Sequence, residues 1–174
     1  MTHVQGPIIQ QFNSLEEHTR KCVQMHSLAR HLAQRFERSV RENFGETFQY
    51  TKLYYGKCDI DGELCDITVE KFIEGDFVKY INNDGTIIKH PSIPATLTKK
   101  AEAFAHYSYD ISDNNLMVVD IQGCGYNLCD PEIATVDYFT DEKEENVLFC
   151  AGNCSLEAIQ RFLQDHECNE LCIR

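Results

Sequence analysis

An imidazole and two thiols lie close together near the C-terminal end of the sequence. In the run HECNELC, His166 is followed by Cys168 and Cys172, so three soft donors fall within about two helical turns. Zinc in a structural site takes four nitrogen or sulfur ligands in a tetrahedral arrangement. The spacing leaves both His106 and His90 open as the fourth ligand. The alternative is that these residues are ordinary core side chains.

A second group of polar side chains lies at the end of a short apolar run. Residues 116–121 are almost all apolar, which predicts a buried strand, and Asp120, Gln122 and Asp130 lie at its end and beyond it. Oxygen ligands of this kind suit Mg²⁺, which bridges protein carboxylates and substrate phosphates. A carboxylate there could also accept a proton from a hydroxyl group. The alternative is turn chemistry, because Asp and Gly also favour loops.

The composition excludes several classes of protein. The length of 174 residues suits one domain with a core, and the net charge of -12 disfavours binding to nucleic acid or to an anionic membrane. No run approaches the roughly 18 apolar residues of a membrane span, and the N-terminus lacks the pattern of a secretory signal. The nine cysteines, an odd number, with their mixed Cys/His spacing, favour reduced thiols. We therefore expect a cytoplasmic protein.

Hydrophobic periodicity predicts an α+β fold. We expect helices at 19–43 (ended by Gly45), at 95–106 (capped by Thr96 or Thr98 and ended by His106) and at 155–165 (with Leu156, Ile159, Phe162 and Leu163 facing inward). Strands are expected at 8–11, 48–55, 63–72, 77–80 and 116–121, and residues 122–155 are expected to be mostly loop. The elements fit a single domain over 1–174, divided near residue 72.

Several segments together resemble the alpha-kinases, the atypical protein kinases that include myosin heavy-chain kinases, the elongation-factor-2 kinase and channel-fused kinases. The run LMVVDIQGCG at 116–125, followed by Asp130-Pro131, is similar to the segment that carries the family's catalytic aspartate. The run VEKFIEGDFVKY at 69–80 resembles the hinge segment, and FAHY at 104–107 with HECNELC resembles the zinc site. The motifs occur in the family's order, and the resemblance covers residues 8–174.

The resemblance implies a two-lobed, protein-kinase-like fold, with a shortened N-lobe over 1–72 and a zinc-stabilised C-lobe over 73–174. The protein would transfer the γ-phosphate of ATP to Ser or Thr of a protein substrate. The implied catalytic residue is Asp120, the implied Mg²⁺ ligands are Gln122 and Asp130, and the implied ligands of structural zinc are His106, His166, Cys168 and Cys172. The implied contacts with ATP are Glu70 and Phe72 at the adenine, together with Gln10, Gly152 and Asn153.

The sequence also departs from the family. Gln10 takes the place of an N-lobe lysine that grips the ATP phosphates, and the glycine-rich loop around Gly152 lacks its outer glycines. A neutral Gln cannot supply the charge of Lys, and losing such a contact costs roughly a thousandfold in rate. The alternative function is therefore a pseudokinase, a zinc-braced module that binds a nucleotide or a partner. A third reading, a zinc-stapled interaction domain, is disfavoured by the retained Asp120 loop. A lysine at 21, 52 or 57 that reaches the phosphates would favour the active kinase.

Overall fold

The computed structural model describes residues 12, 14–137, 149 and 152–173. The helices in these residues are α1 (Leu15–Ser39), α2 (Ala95–Ile111) and α3 (Ser155–Asp165), with a 3-10 turn at Glu42–Phe44. The strands are β1 (Gln49–Tyr50), β2 (Leu53–Ile60), β3 (Glu63–Glu70), β4 (Phe77–Ile81), β5 (Leu116–Val119), β6 (Ile121–Cys124), β7 (Asn127–Leu128) and β8 (Glu132–Thr135). The predicted strand at 8–11, which includes Gln10, lies outside the described residues.

Helix α1 begins four residues before the predicted position because its cap lies further upstream. Ser14 is the N-cap, and its Oγ accepts a hydrogen bond of 3.1 Å from the backbone N–H of Glu17. A Ser followed three residues later by Glu is a known helix-start pattern, so this signal was present in the sequence. The helix ends at Ser39, and Gly45, with a φ of 73°, ends the short 3-10 turn instead.

Four strands form the main sheet, in the order β1-β7-β6-β4. Strand β1 runs parallel to β7, and the other neighbours are antiparallel. The register of β4 and β6 places Lys79 directly opposite Gln122. Gly123 has a φ of 156° and lies so close to the backbone of Asn127 and Leu128 that an added Cβ would collide with it. This position in the β6–β7 hairpin therefore requires glycine.

The predicted strand at 116–121 is in fact interrupted at Asp120. Strand β5 pairs with β8 in a separate two-stranded sheet, whereas β6 belongs to the main sheet. Asp120 lies between them with a φ of 49°, a left-handed conformation that short polar residues tolerate better than most. Asp120 thus stands where the chain passes from one sheet to the other.

Other element predictions were wrong in detail. The segment 122–155 contains β7, β8 and most of β6, so it is less of a loop than predicted. Helix α2 continues to Ile111, and His106 therefore lies inside it rather than at its end. Its N-cap is Pro94, without a side-chain capping bond, so neither Thr96 nor Thr98 caps this helix.

Helix α3 begins and ends at the predicted residues, but its buried face is narrower than predicted. Ile159 and Phe162 are completely buried, whereas Leu156 and Leu163 are each 39% exposed. The core itself is shared by all three helices, the main sheet and the β5–β8 sheet. Its centre includes a ring cluster in which Phe36 of α1 lies 5.6 Å from Phe104 of α2, measured between ring centroids.

Strands β2 and β3 form a two-stranded antiparallel hairpin outside this core. One face of the hairpin packs towards α1, where Arg20 lies over the ring of Tyr55 and Lys57 pairs with Glu16. The other face exposes Tyr54 and Val69. No helix within the described residues is both long enough and apolar enough to cross a membrane.

Candidate functional site

Asp120 is held between a lysine and a glutamine. The Nζ of Lys79, on β4, lies 2.6 Å from Oδ1 of Asp120, and the Nε2 of Gln122 donates to Oδ2 at 2.8 Å. Burial and nearby Asp130 raise the pKa of the Asp120 carboxyl, whereas Lys79 and Gln122 lower it. The effect of burial is the largest, so the pKa of Asp120 is raised overall. A carboxylate with a raised pKa accepts protons more readily than an ordinary one.

Gln122 also connects Asp120 to Asp130. Its Nε2 donates a second hydrogen bond, of 3.1 Å, to the backbone carbonyl of Asp130. Both bonds use the amide nitrogen, so the amide oxygen is the atom left to bind a cation. Asp130 has a φ of 45°, so both aspartates hold the left-handed conformation. Conformations of this kind cluster at functional sites.

A cavity of about 400 Å³ opens beside Asp130. Its walls come from α1, from the inner face of the β2–β3 hairpin and from the segment 130–132. The ionisable residues in these walls are His18, Cys22, His26, Asp66, Glu70, Asp130 and Glu132. The volume is within the range of small-molecule sites, and the described lining contains neither Lys nor Arg. The cavity is therefore acidic.

Glu132 is a half-buried residue in the wall of this cavity. Its Oε2 is fully covered and has no hydrogen-bond partner among the described residues. Burial, together with the electrostatic influence of Cys22 and of the Asp130 carboxylate, raises the pKa of Glu132 to about 8. Gly152 packs against this carboxyl so closely that a Cβ at residue 152 would collide with it.

Tyr50 carries another buried polar atom near the site. Its hydroxyl is buried and lacks a hydrogen-bond partner in the described part of the chain. Burial raises the pKa of Tyr50 well above its usual value, and the proximity of Asp120, Cys129 and Asp130 acts in the same direction. The parallel pairing of Tyr50 with Leu128 positions the residue beside the segment that leads to Asp130.

The predicted nucleotide contacts fall in different environments. Glu70 lines the cavity and accepts a hydrogen bond of 3.0 Å from Thr51 Oγ1, whereas the side chain of Phe72 is 83% exposed. Asn153 is buried, and its Nδ2 donates to Thr135 Oγ1 at 2.7 Å. Gln10 lies outside the described residues. The structure therefore places Glu70 at the cavity and Phe72 in solvent.

Sequence reasoning missed Lys79, Glu132 and Tyr50. The lysines considered for the phosphates were those at 21, 52 and 57, and of these Lys57 pairs with Glu16 of α1 and with Asp66 of β3. Lys79 was visible only as part of the hinge-like run, and its contact with Asp120 depends on the pairing of β4 with β6. Periodicity does not report such non-local pairing.

Four side chains from α2 and the C-terminal segment form a separate cluster. The ligand atoms of His106, His166, Cys168 and Cys172 all lie within 4.8 Å of one another. His106 Nδ1 is 3.1 Å from His166 Nε2 and 3.5 Å from Cys168 Sγ, and Cys172 Sγ is 3.8 Å from His166 Nε2. Tetrahedral zinc with these ligands would separate them by roughly 3.3–3.8 Å, so the cluster could hold such an ion. His90, the other candidate, instead contacts Ser92.

Outer contacts orient the two imidazoles of this cluster. Glu102, His106 and Asp110 follow one another at four-residue steps along one face of α2. Glu102 Oε2 lies 3.0 Å from Nδ1 of His166, and Asp110 Oδ2 lies 3.5 Å from Nε2 of His106. Each ring therefore directs its second nitrogen at a carboxylate, an arrangement common around metal-bound histidine. Contacts with Cys172 and then Glu102 raise the pKa of His166 to about 10.

Comparison with solved structures identifies the fold. The alpha-kinase domain of myosin heavy chain kinase A in complex with ADP matches with a TM-score of 0.72 and 24% identity, covering 91% of this chain and 58% of that chain. The AMP complex of the same domain matches with a TM-score of 0.71, covering 94% of this chain and 61% of that chain, at 23% identity. The chain therefore has the mixed α and β fold of an alpha-kinase domain.

Sequence comparison gives the same family. The mouse (Mus musculus) transient receptor potential cation channel subfamily M member 6 is 35% identical over 106 residues, covering 61% of this chain and 5% of the channel. Myosin heavy chain kinase B of Dictyostelium discoideum is 32% identical over 103 residues, covering 59% of this chain and 12% of the kinase. The matched region is thus a small part of these relatives. The sequence profile of the alpha-kinase family matches residues 5–172, and the chain therefore belongs to the alpha-kinase family.

Proposed function

We propose that this chain binds ATP with Mg²⁺ beside Asp130 and transfers the γ-phosphate to Ser or Thr of a protein substrate. Membership of the family supports a protein kinase function in general. The proposal of phosphate transfer rests on a connected array of side chains, in which Lys79 pairs with Asp120 and Gln122 joins Asp120 to Asp130. In this array Asp120 would accept the proton of the substrate hydroxyl, and Lys79 would hold its carboxylate in place.

The side chains around Asp130 fit a magnesium ion. The amide oxygen of Gln122 and the carboxylates of Asp130 and Glu132 are hard oxygen donors, and Glu132 Oε2 is buried without a partner among the described residues. Magnesium supplies positive charge to the transferring phosphate when bound. The acidic lining makes this charge necessary, because phosphates placed there would otherwise face carboxylates. Gln122 and Asp130 would hold the ion.

We also propose that His106, His166, Cys168 and Cys172 bind structural zinc. The set provides two nitrogens and two sulfurs, which is a closed coordination shell without a place for substrate. The ion would tie the segment after α3 to α2 and so add to the free energy of folding. The support for zinc is the donor set together with the carboxylates behind both imidazoles.

The alternative is a pseudokinase that binds nucleotide but transfers phosphate poorly. The specific observation in its favour is that the described cavity lining contains neither Lys nor Arg. Among the lysines at 21, 52 and 57, Lys21 pairs with Glu17, and Lys57 pairs with Glu16 and with Asp66 of the cavity wall. The retained Asp120 array favours transfer over this alternative.

Radiolabelled ATP separates the two functions. Zinc-loaded protein would be incubated with Mg²⁺-ATP, alone and with a helical Ser/Thr substrate, beside the variants Asp120→Asn and Asp113→Asn. Asp113 is exposed and also has a positive φ, of 53°, so its substitution controls for changing a left-handed aspartate to asparagine. Transfer that is lost with Asp120→Asn and kept with Asp113→Asn supports the kinase. Absence of transfer from folded protein, with a nucleotide-induced rise in Tm, supports the pseudokinase.

A further inference from the structure

Two thiols face each other across the β2–β3 hairpin. The antiparallel register pairs Cys58 directly with Cys65. Facing residues of an antiparallel pair point to the same side of the sheet, with Cα atoms about 4.5–5.5 Å apart. This separation is inside the range of about 4.4–6.8 Å that a disulfide bond spans. The backbone therefore already holds the two cysteines at bridging distance.

Both thiols are free, and neither belongs to the sites described above. Cys58 is exposed and Cys65 is half-buried. Among the described residues, the Cys58 sulfur makes a weak local contact with the carbonyl oxygen of Asp59, and the Cys65 sulfur makes one with that of Glu63, both at 3.6 Å. Side chains alternate between the faces of a strand, so Cys65 points away from the face on which neighbouring Asp66 lines the cavity.

We propose that Cys58 and Cys65 form a reversible disulfide when the protein meets a low-molecular-weight disulfide oxidant such as oxidised glutathione. The thiolate of exposed Cys58 attacks the oxidant, forms a mixed disulfide and releases one molecule of reduced thiol. The thiolate of Cys65 then attacks Cys58 sulfur, forms the intramolecular bond and releases the second. The two cysteines lose two protons and two electrons in total, and the oxidant accepts them and is reduced to two thiol molecules.

The bridge would stiffen one wall of the acidic cavity. Strand β3 carries Cys65 on one face and Asp66, Thr68 and Glu70 on the cavity face. A covalent link between β2 and β3 therefore restricts the strand that positions these three side chains. Exposed disulfides are more easily reduced than buried ones, so glutathione would also open this bridge. Formation of this bridge does not require the chain to transfer phosphate.

The sequence provides a direct assay. Trypsin cleaves after Lys57 and Lys71, which releases residues 58–71 as one peptide with both cysteines and no others. Zinc-loaded protein would be equilibrated with oxidised glutathione, alkylated with iodoacetamide, digested and analysed by mass spectrometry. We expect this peptide to be mostly unalkylated and lighter than the reduced peptide by two hydrogen atoms. Treatment with reduced glutathione restores the doubly alkylated form.

A matched variant tests whether the register is responsible. Leu64→Cys combined with Cys65→Ser keeps two cysteines in the same tryptic peptide but moves one thiol to the opposite face of β3. We expect this variant to form mixed disulfides with glutathione instead of the internal disulfide bond. Mixed disulfides or cross-linked dimers as the main products of the wild-type protein would overturn the proposal. So would equal internal bridging in the wild type and the shifted variant.

Discussion

The ammonium nitrogen of Lys79 lies 2.6 Å from Oδ1 of Asp120 and joins β4 to the residue at which the chain changes sheets. Gln122, directly opposite Lys79 in the register, approaches the other carboxylate oxygen at 2.8 Å. Asp120 is therefore held on both sides by side chains of the main sheet. A positive charge at this distance favours the ionised carboxylate, the form that can accept a proton.

Replacing this lysine should change the pH dependence of phosphate transfer. Lys79→Met removes a charge that lowers the pKa of Asp120, so burial and Asp130 then raise that pKa further. Activity falls as pH drops through this pKa, because the protonated acid cannot accept a proton. We therefore expect the acidic limb of the pH–rate profile to move to higher pH, with a rate at neutral pH at least tenfold lower.

Lys99→Met is the control for this experiment, since Lys99 is exposed and pairs with Glu170, far along the chain from Asp120. The pH–rate profile of the control should match that of the wild type. An acidic limb that stays in place in Lys79→Met would show that Lys79 does not tune Asp120.

Local signals in the sequence predicted part of this architecture well. The Asp61-Gly62 pair marked the turn before β3, and the apolar spacing after Ser155 placed α3, because both are determined by neighbouring residues. The predicted strand at 48–55 was wrong, because the structure has β1 at Gln49–Tyr50 and a separate β2 that continues through Gly56 to Ile60. The grouping of His166, Cys168 and Cys172 was likewise visible from spacing alone. These features depend on turns and helices of only a few residues.

The features that were not predicted depend on contacts between distant segments. Lys79 reaches Asp120 only through the register of β4 and β6, and the break at Asp120 exists because β5 and β6 join different sheets. The Tyr50 hydroxyl, which has no hydrogen-bond partner among the described residues, belongs to a ring that lies beside His26 and Phe104 from distant segments. Contacts between distant segments produce no local periodicity in the sequence, so periodicity could not predict them.

Loss of one ligand should release the ion proposed for the metal cluster. In Cys172→Ala we expect most of the bound zinc to be lost and the Tm to fall by roughly 5–10 °C. The loss of the ion should lower the free energy of unfolding by about 2–3 kcal/mol, and each kcal/mol lowers the Tm of a domain of this size by about 2–4 °C. Zinc content by elemental analysis and Tm by calorimetry would be measured together. Cys154→Ala is the matched control, because Cys154 is a half-buried free cysteine outside the cluster. Unchanged zinc content in Cys172→Ala would rule out this ligand set.

The carboxylate behind His166 should affect zinc affinity without binding zinc itself. Glu102→Gln keeps the shape of the side chain but weakens the acceptor that lies 3.0 Å from Nδ1 of His166. We expect the Kd for zinc, measured by competition with a chelator, to rise about 10- to 100-fold. Glu170→Gln, which changes an exposed carboxylate nearby, should leave the Kd unchanged. An equal effect of both substitutions would indicate a general change of charge rather than orientation of His166.

Removal of the Tyr50 hydroxyl should stabilise the protein, unlike most changes in a core. The hydroxyl is buried without a partner in the described part of the chain, so Tyr50→Phe removes a desolvated polar group and loses no known hydrogen bond. We expect the free energy of unfolding to rise by about 1 kcal/mol, measured by urea denaturation. Tyr80→Phe is the matched control, because the buried Tyr80 donates a hydrogen bond of 3.0 Å to the carbonyl of Gly125.

The control should lose about 1 kcal/mol of stability, so the two substitutions should have opposite signs. Mg²⁺-ATP adds a second measurement. If the Tyr50 hydroxyl contributes to the binding site beside Asp130, the nucleotide-induced rise in Tm should be smaller in Tyr50→Phe than in the wild type. A destabilised Tyr50→Phe protein with a normal nucleotide response would mean that the hydroxyl serves the fold alone. Stabilisation together with a smaller nucleotide-induced rise in Tm would show that the Tyr50 hydroxyl contributes to ligand binding and lowers the stability of the fold.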